Sequence, residues 1–228
     1  MDAAAVVIGS SGGIGEAMVE CLEATGEYAV VHALSRSGTG LDLENEATIA
    51  AAAARIAEGP APILIFVGTG VLHHGHEPER SLRALDPEHL MRDYRINAIG
   101  PALVAKHMLP LLPRDRRSIF AALSARVGSI GDNRLGGWHS YRASKAALNM
   151  ILRNLAIELA RTHPQAVVAG LHPGTVDTGL SRPFQRGVPS DALFTPAYSA
   201  RQLLAVTASL AATDSGGCFA WDGRKIPE

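Results

Sequence analysis

Short apolar runs alternate with longer stretches of helical periodicity along nearly the whole chain, and this alternation restricts the fold more than any other feature. Residues 3–8, 28–34 and 63–67 are short apolar runs that end at a small or polar residue, which is typical of buried strands. Neighbouring parallel strands require a crossover connection, and helical segments of suitable length separate these runs. The sequence therefore predicts an α/β fold in which a single doubly wound parallel sheet carries helices on both faces.

The remaining elements extend this order over residues 1–228 as one domain. A helix that starts near Asp86 is predicted to bend near Gly100 and Pro101, because proline lacks the N–H that a helix interior needs. The polar, proline-containing segment 182–196 is predicted to be a loop, within a substrate-loop region around residues 179–195. Further strands are predicted at residues 118–123, 167–171 and 218–221, and helices at residues 14–24, 44–58, 86–111, 141–161 and 200–212.

The charge of the chain is nearly balanced, with 21 lysines and arginines against 22 aspartates and glutamates. We therefore expect neither nucleic acid nor a membrane surface as a partner. No apolar run approaches the roughly 18 residues that a membrane-spanning helix needs. The chain has only two cysteines, Cys21 and Cys218, and no signal-peptide pattern, so we expect reduced thiols and a cytoplasmic location.

A glycine-rich turn lies directly between the first predicted strand and the first predicted helix, with Gly9, Gly13 and Gly15 as its spaced glycines. Glycine lets a ligand approach the main chain, and the helix behind the turn offers unpaired N–H groups and the positive end of its dipole. These features suit a pyrophosphate at the carboxyl end of a strand, where doubly wound sheets bind ligands. A purely structural turn stays open as an alternative, because glycine spacing alone is a weak signal.

The same turn also matches the pattern Gly-x-Ser-x-Gly, which would make Ser11 the nucleophile of a serine hydrolase. Such an enzyme needs an acid and a histidine after the serine, and Asp132 with His139 or His172 is available. No second feature of the sequence selects one of these sets. The hydrolase is therefore kept as a remote alternative.

Tyr141 and Lys145 open the predicted helix 141–161 at positions i and i+4, so the phenol and the ammonium share one helix face. A free phenol has a pKa near 10, which is too high for proton exchange at neutral pH. A cation within about 4–6 Å favours the phenolate and lowers that pKa. The pair is therefore a candidate acid/base group for a carbonyl and its alcohol, with a surface pair as the alternative.

With these motifs in place, the chain resembles the short-chain dehydrogenase/reductase family over essentially its full length. Segment 141–148 and the loop 124–139 look closest to carbonyl-reductase-like members related to the C-factor and Sniffer proteins. The resemblance implies a Rossmann-type fold and hydride transfer between a nicotinamide dinucleotide and a carbonyl or alcohol carbon. The matching motifs, in the family's order, are the Gly9–Gly15 turn, Asn97, Ser124 at a strand end, Tyr141 with Lys145, and Pro173-Gly174-Thr175-Val176-Asp177-Thr178.

The resemblance also implies residue roles. Tyr141 would protonate the carbonyl oxygen during reduction, and Lys145 would lower the pKa of that phenol and bind the nicotinamide ribose. Ser124 would hold the substrate oxygen, and Asn97 would position a water that links Lys145 to solvent. We therefore expect Asn97, Ser124, Tyr141 and Lys145 as catalytic residues, and as cofactor-binding residues Gly9, Ser11, Gly13, Ile14, Gly15, Ser35, Arg36, Asp42, Gly68, Gly70, Asn97, Tyr141, Lys145, Pro173, Gly174, Val176 and Thr178.

The segment after the second strand predicts the choice of dinucleotide. An acidic residue there would bind a ribose 2′-hydroxyl, whereas an arginine accepts a 2′-phosphate. The sequence is Leu34-Ser35-Arg36-Ser37, without an acid, and arginine pairs with phosphate through two parallel N–H bonds. We therefore expect NADP(H) in preference to NAD(H), with an exposed, unengaged Arg36 as the alternative.

Two departures from the family's pattern concern its active site. The family usually has Asn-Ala-Gly after the fourth strand, and this chain has Gly68-Thr69-Gly70, so other groups must supply the missing hydrogen bonds. Ser124 also precedes Tyr141 by more residues than in many members. Ser129 is therefore a rival for the catalytic serine, although Ser124 fits the strand end better.

The remaining candidate residues support weaker predictions about metal binding, the substrate pocket and the oligomeric state. His73, His74 and His76 lie close together, but a solvated loop explains them better than a metal site, so no metal is expected. Arg126, Trp138 and His139, with the loop 179–195, are expected to line the substrate pocket. The resemblance makes a homodimer or homotetramer plausible through helix faces near residues 90–111 and 145–160.

A second function from another class stays open. A dinucleotide-binding signalling or regulatory protein of the C-factor type would use the same fold, and its chemistry would be incidental. The intact Tyr141 and Lys145 favour the enzyme. The substrate, a small carbonyl compound or alcohol, is not identified by the sequence.

Overall fold

Nine strands are assigned in the computed structural model, which describes residues 2–73 and 77–228. Seven of them form one sheet with the order β2-β1-β3-β4-β5-β8-β9. All neighbouring strands in it run parallel except the last pair, β8 and β9. The strands are β1 Ala4–Ile8, β2 Val30–Leu34, β3 Pro62–Val67, β4 Ser118–Leu123, β5 Ala166–His172, β6 Thr175–Val176, β7 Leu193–Phe194, β8 Cys218–Ala220 and β9 Lys225–Ile226, with β6 and β7 paired separately.

Helices cover both faces of this sheet, as the sequence predicts. Along β1, Val6 and Ile8 pack into one core with Ile49 and Leu148, whereas Val7 packs into a second core with Met18. The alternation along one strand shows that the two faces carry separate hydrophobic layers. The helices are α1 Gly13–Thr25, α2 Arg36–Thr39, α3 Glu46–Ile56, α4 Pro87–Tyr94, α5 Gly100–Met108, α6 His139–Leu159 and α7 Pro196–Ser209.

The order in which the strands are added to the sheet reverses at β1. This strand pairs with β2 on one side and with β3 on the other, so the loops that follow β1 and β3 separate there. The Gly9 N–H donates to the Leu34 carbonyl and the Gly68 N–H donates to the Ile8 carbonyl, each at 2.8 Å. Because ligands of such sheets bind in the crevice at this switch point, both glycine segments lie at the expected site.

Two predicted boundaries are wrong, and one strand was not predicted. A bend was predicted near Gly100 and Pro101 in the helix that starts near Asp86. The helix is instead interrupted by a π-helical turn at Arg95–Ile99, in which the Gly100 N–H donates to the Arg95 carbonyl, so the interruption comes before Pro101. Helix α7 begins at Pro196 instead of residue 200, because Thr195 accepts a hydrogen bond from the Tyr198 N–H and caps it. The short antiparallel strand β9 follows β8 and was not predicted.

Segment 182–196 contains more structure than a plain loop. A 3₁₀ turn forms at Arg182–Phe184, and β7 pairs with β6 beyond it. In the described ranges, no helix has both the length and the apolar character that crossing a bilayer requires.

The close approach of α1 to the glycine turn gives a stability prediction. A Cβ at Gly15 would lie 2.1 Å from the Gly9 carbonyl oxygen, so Gly15→Ala forces the helix away from the turn. We expect the free energy of unfolding in urea to fall by about 1–3 kcal/mol. Gly12→Ala is the control, since its Cβ would lie 3.4 Å from the same oxygen, and equal stability of the two variants would contradict this account.

Candidate active site

A groove of about 350 Å³ opens at the carboxyl ends of β1, β2 and β3. Arg36 is exposed at one end of it and forms no ion pair within residues 2–73 and 77–228. Asp42 lies in the same groove, and its carboxylate accepts a hydrogen bond from the Glu44 N–H at 3.0 Å. The predicted cofactor residues that line the groove are Gly9, Ser11, Ser35, Arg36, Asp42, Gly68 and Gly70.

The groove has the features that a dinucleotide phosphate needs. Gly9 has φ +85°, and a Cβ there would lie 2.9 Å from Thr69 Cγ2, so only glycine fits this turn. Gly12 precedes α1, and no described side chain caps that helix, which leaves its first-turn N–H groups available to an anion. Thr69 Oγ1 also lines this region, buried and without a hydrogen-bond partner among the described residues. The residues present therefore fit a bound dinucleotide.

A second cavity, of about 250 Å³, lies at the carboxyl ends of β4 and β5 beside α6. Ser124 and Tyr141 both line it. The cavity adjoins the glycine turn, because a Cβ at Gly13 would lie 3.0 Å from Thr178 Cγ2. The other predicted cofactor residues in its wall are Ile14, Pro173, Gly174, Val176 and Thr178.

Asn97 is fully buried in the π-helical turn and joins three segments of the chain. Its Oδ1 accepts from the Val71 N–H at 2.9 Å, and its Nδ2 donates to the Val71 carbonyl at 2.9 Å and to Ser144 Oγ at 3.1 Å. Asn97 thereby fixes the backbone that follows Gly68-Thr69-Gly70, where the family's usual asparagine is missing.

Lys145 lies behind the junction of the groove and the cavity, with 3% of its surface exposed. Its ammonium donates to the Leu123 carbonyl at 2.7 Å and lies 5.8 Å from the centroid of the Tyr141 ring. A Cβ at Gly70 would lie 3.5 Å from the same nitrogen. The predicted phenol–ammonium pair is therefore brought together at the end of β4.

Ser124 has a hydrogen-bond partner that the sequence analysis missed. Its Oγ donates to Asn149 Oδ1 at 2.6 Å, and Asn149 lies two turns after Tyr141 on α6. The rival, Ser129, does not line the cavity, and its Oγ accepts from the Asp132 N–H at 3.1 Å. The geometry thus favours Ser124 over Ser129 as the serine that faces a substrate. In the sequence, only the spacing between Tyr141 and Asn149 along the predicted helix could have indicated this residue.

The charges around Tyr141 differ from the expectation. Burial raises the pKa of the Tyr141 phenol, and the Asp93 carboxylate raises it further. Burial also lowers the pKa of Lys145 to about 8, against an opposing effect of Asp93. The pKa of the phenol is therefore raised and not lowered as expected, because the ring is buried and the Lys145 ammonium is hydrogen-bonded to Leu123.

Two buried carboxylates beside α6 were not predicted. Asp93, on α4, is 2% exposed, and burial followed by the nearby Glu79 raises its pKa to about 7. Glu79 is 3% exposed and accepts hydrogen bonds from the Ser140 N–H, at 3.1 Å, and from the Ser140 hydroxyl. It therefore holds the first turn of the helix that carries Tyr141. Nothing in the sequence signals that either carboxylate is buried.

The other candidate residues are placed as follows. His73 Nε2 lies 3.1 Å from the Gly179 carbonyl oxygen, and its ring contacts Phe184, whereas His74 and His76 lie outside the described residues. Arg126 and Trp138 line the cavity, but His139 does not. In the described part of the chain no hydrogen bond joins Ser11 to a histidine, so the hydrolase gains no support.

The chain is similar in sequence to known proteins of one family. A family model described as short chain dehydrogenase matches residues 3–188. The C-signal protein of Myxococcus xanthus is 35% identical over 148 residues, which cover 64% of this chain and 83% of that protein. The 1-hydroxy-2-glutathionyl-2-methyl-3-butene dehydrogenase of Rhodococcus sp. is 30% identical over 190 residues, 78% of this chain and 80% of that protein.

Among solved structures, the carbonyl reductase Sniffer of D. melanogaster superposes with a TM-score of 0.82 over 100% of both chains, at 21% identity. At this identity the likeness shows the fold alone.

The raised pKa of Asp93 predicts a pH-dependent stability. Between about pH 4 and pH 7 the folded protein keeps a proton that the unfolded chain has lost, so the contribution of Asp93 to stability is lost as the pH rises through 7. Asp93→Asn removes this penalty. We expect its gain in the free energy of unfolding to be small at pH 4 and larger at pH 8, measured with urea. The exposed Asp115→Asn is the control, and a gain that is equal at both pH values would contradict the prediction.

Proposed function

The chain belongs to the short chain dehydrogenase family, and from that premise we propose that it transfers a hydride between NADP(H) and the carbonyl or alcohol carbon of a small molecule. Membership makes it an oxidoreductase that uses a nicotinamide dinucleotide. The observation that carries the finer proposal is the cavity shared by Ser124 and Tyr141. It adjoins the glycine turn, so a nicotinamide and a carbonyl compound have adjoining places.

When bound, the reduced dinucleotide would supply the hydride. In reduction, the Tyr141 hydroxyl donates a proton to the substrate oxygen, and the raised pKa of the phenol keeps that proton in place beforehand. Rotation of the Ser124 hydroxyl from Asn149 Oδ1 to the substrate would let it donate to the same oxygen and orient it. Lys145 anchors the end of β4 through Leu123 and would hold the cofactor ribose. Asn97 fixes the backbone next to it.

Support for NADP(H) comes from Arg36. Its guanidinium is exposed at the end of the groove without a carboxylate partner in the described chain, and Ser35 lies beside it. A 2′-phosphate on the adenosine ribose would receive paired N–H bonds from this side chain. Asp42 lies in the same part of the groove, where the adenine would bind.

The substrate region around residues 179–195 forms one wall of the cavity. Leu180 and Phe184 line it, and the Phe184 ring lies 5.1 Å from that of Trp138. This apolar wall favours substrates with an apolar or aromatic part. The contact between His73 and Gly179 joins this wall to the segment that follows β3. In this proposal the wall closes over the bound substrate.

The functional protein is proposed to be a cytoplasmic homodimer or homotetramer. Met150 and Ile157 on α6 are 62% and 50% exposed, and Ile99 in the π-helical turn is 47% exposed. Covering such side chains with a second copy removes apolar surface from water. Both cysteines are free thiols, which suits a reducing compartment.

A signalling protein is the second candidate function. The similarity to C-signal of Myxococcus xanthus favours it. In that case the dinucleotide would be bound as part of regulation, and loss of the phenol would leave the biological effect intact.

The enzyme proposal predicts the behaviour of Tyr141→Phe. Because the variant lacks the acid that protonates the substrate oxygen, we expect kcat for ketone or aldehyde reduction to fall about 10²–10⁴-fold. NADPH affinity, measured by fluorescence titration, should be retained, and Tyr28→Phe should leave kcat unchanged. Undiminished turnover by Tyr141→Phe would refute the assignment of the acid.

The cofactor proposal predicts a selective loss in Arg36→Ala. We expect the KM for NADPH to rise about tenfold or more, since a hydrogen-bonded charge pair is removed, and the KM for NADH to stay unchanged. Arg55→Ala, an exposed change on α3, is the matched control. Comparable catalytic efficiency of the wild-type protein with NADH and NADPH would argue against the preference.

A further inference from the structure

The helix that carries Tyr141 begins at a tryptophan in an unusual backbone conformation. Trp138, the residue before α6, has φ 49° and ψ 44°, and among residues 2–73 and 77–228 it is the one residue other than glycine with a positive φ. A residue at this position normally has an extended backbone and caps the helix with a short polar side chain, which tryptophan lacks. A bulky side chain keeps a left-handed backbone only where its surroundings enforce it.

Glu79 provides the missing cap from a distant part of the chain. The Trp138 N–H donates to the Glu79 carbonyl at 2.5 Å. The Glu79 carboxylate accepts from the Ser140 N–H at 3.1 Å and from the Ser140 hydroxyl. Glu79 therefore binds the start of α6 through both its main chain and its side chain, and its negative charge lies at the positive end of the helix dipole.

These hydrogen bonds are shielded from water. Glu79 is 3% exposed and Ser140 is 1% exposed, so solvent cannot replace either partner. Gly137 passes close to the same carbonyl group, since a Cβ there would lie 3.4 Å from the Glu79 oxygen. The surroundings that enforce the conformation of Trp138 are thus centred on Glu79.

Two parts of the proposed active site are attached to this segment. Tyr141 follows Ser140 directly in the chain. The Trp138 ring lines the cavity, with its centroid 6.3 Å from that of Tyr141 and 5.1 Å from that of Phe184. A return of Trp138 to an extended backbone would redirect its ring and shift the first turn of α6. A displacement of about 1 Å at a reacting group can lower a rate about a hundredfold.

We propose that Glu79 is a positioning residue for the reaction, which fixes the Tyr141 hydroxyl and the Trp138 wall of the cavity together through the start of α6. This inference rests on the proposed function. Glu79 is not among the residues that line the cavity, so it acts through Trp138 and Ser140 and not on the substrate.

Three variants test the proposal. Glu79→Ala removes the carboxylate, whereas Glu79→Gln keeps an oxygen that accepts from the Ser140 N–H. Asn45→Ala is the matched control, because it removes a side-chain cap of the same kind from α3, none of whose residues lines the cavity. Reduction of 1-phenylpropan-2-one is followed with NADPH, and the NADPH dissociation constant is measured by calorimetry.

A second readout does not depend on turnover. Trp138 and Trp221 are the two tryptophans of the chain, so a Trp221→Phe background leaves Trp138 as the one indole fluorophore. The emission wavelength of Trp138 and its quenching by acrylamide then report directly on the position of its ring in each variant.

We expect Glu79→Ala to lower kcat about 10- to 100-fold, to leave the NADPH dissociation constant unchanged, and to shift the Trp138 emission to longer wavelength with stronger quenching. Glu79→Gln should recover most of kcat, and Asn45→Ala should match the wild type in kcat and in emission. With an active wild type, unchanged kcat or unchanged Trp138 emission in Glu79→Ala would overturn the role of Glu79 alone. The same holds for a loss that Asn45→Ala reproduces or that Glu79→Gln does not relieve. Wild-type protein that reduces no ketone would overturn the proposed function together with this inference.

Discussion

The buried polar face of helix α6 is the constraint on which the active site depends. Ser140, Ser144, Lys145 and Asn149 lie within three turns of one helix, and each has a hydrogen-bond partner outside that helix. The partners are the Glu79 carboxylate, the Asn97 amide, the Leu123 carbonyl and the Ser124 hydroxyl. Because a buried polar group without a partner destabilises the fold by about 1–3 kcal/mol, these contacts fix the position of the helix and of Tyr141 on it.

This arrangement couples the position of Tyr141 to the stability of the fold. The loop that contains Glu79, the π-helical turn and the end of β4 each form a hydrogen bond with a polar residue of α6. A shift of any of them moves Tyr141 relative to the glycine turn after β1. Burial that holds these groups in place also raises the pKa of the phenol, which favours the protonated phenol over the phenolate.

Much of this architecture is predictable from the sequence because it follows from periodicity. The strand runs, the glycine turn and the Tyr141–Lys145 spacing are local patterns, and the structure brings the residues they mark to one edge of the sheet. The groove also contains Ser35 and Arg36, which follow the second strand, and the cavity contains residues of the segment 173–178, which the family resemblance identified. Their catalytic and binding roles remain proposals.

The parts that sequence reasoning missed depend on tertiary burial. Glu79 and Asp93 look like ordinary surface carboxylates, yet both are buried against α6. The π-helical turn at Arg95–Ile99 has no local signature beyond the proline that follows it. The sign of the pKa shift at Tyr141 was also missed, because spacing predicts the nearness of Lys145 but not the desolvation of the ring.

The central claim is that a hydride passes between a nicotinamide beside the glycine turn and a carbon held by Ser124 and Tyr141. Deuterium tracing tests it most directly: NADPH labelled at C4 of the nicotinamide is incubated with the protein and a ketone, and the alcohol is examined by mass spectrometry. The account predicts that deuterium from the transferable C4 position appears on the carbinol carbon, and that unlabelled NADPH in heavy water places none there. Label that never reaches the alcohol carbon, with either face of the nicotinamide labelled, would contradict it.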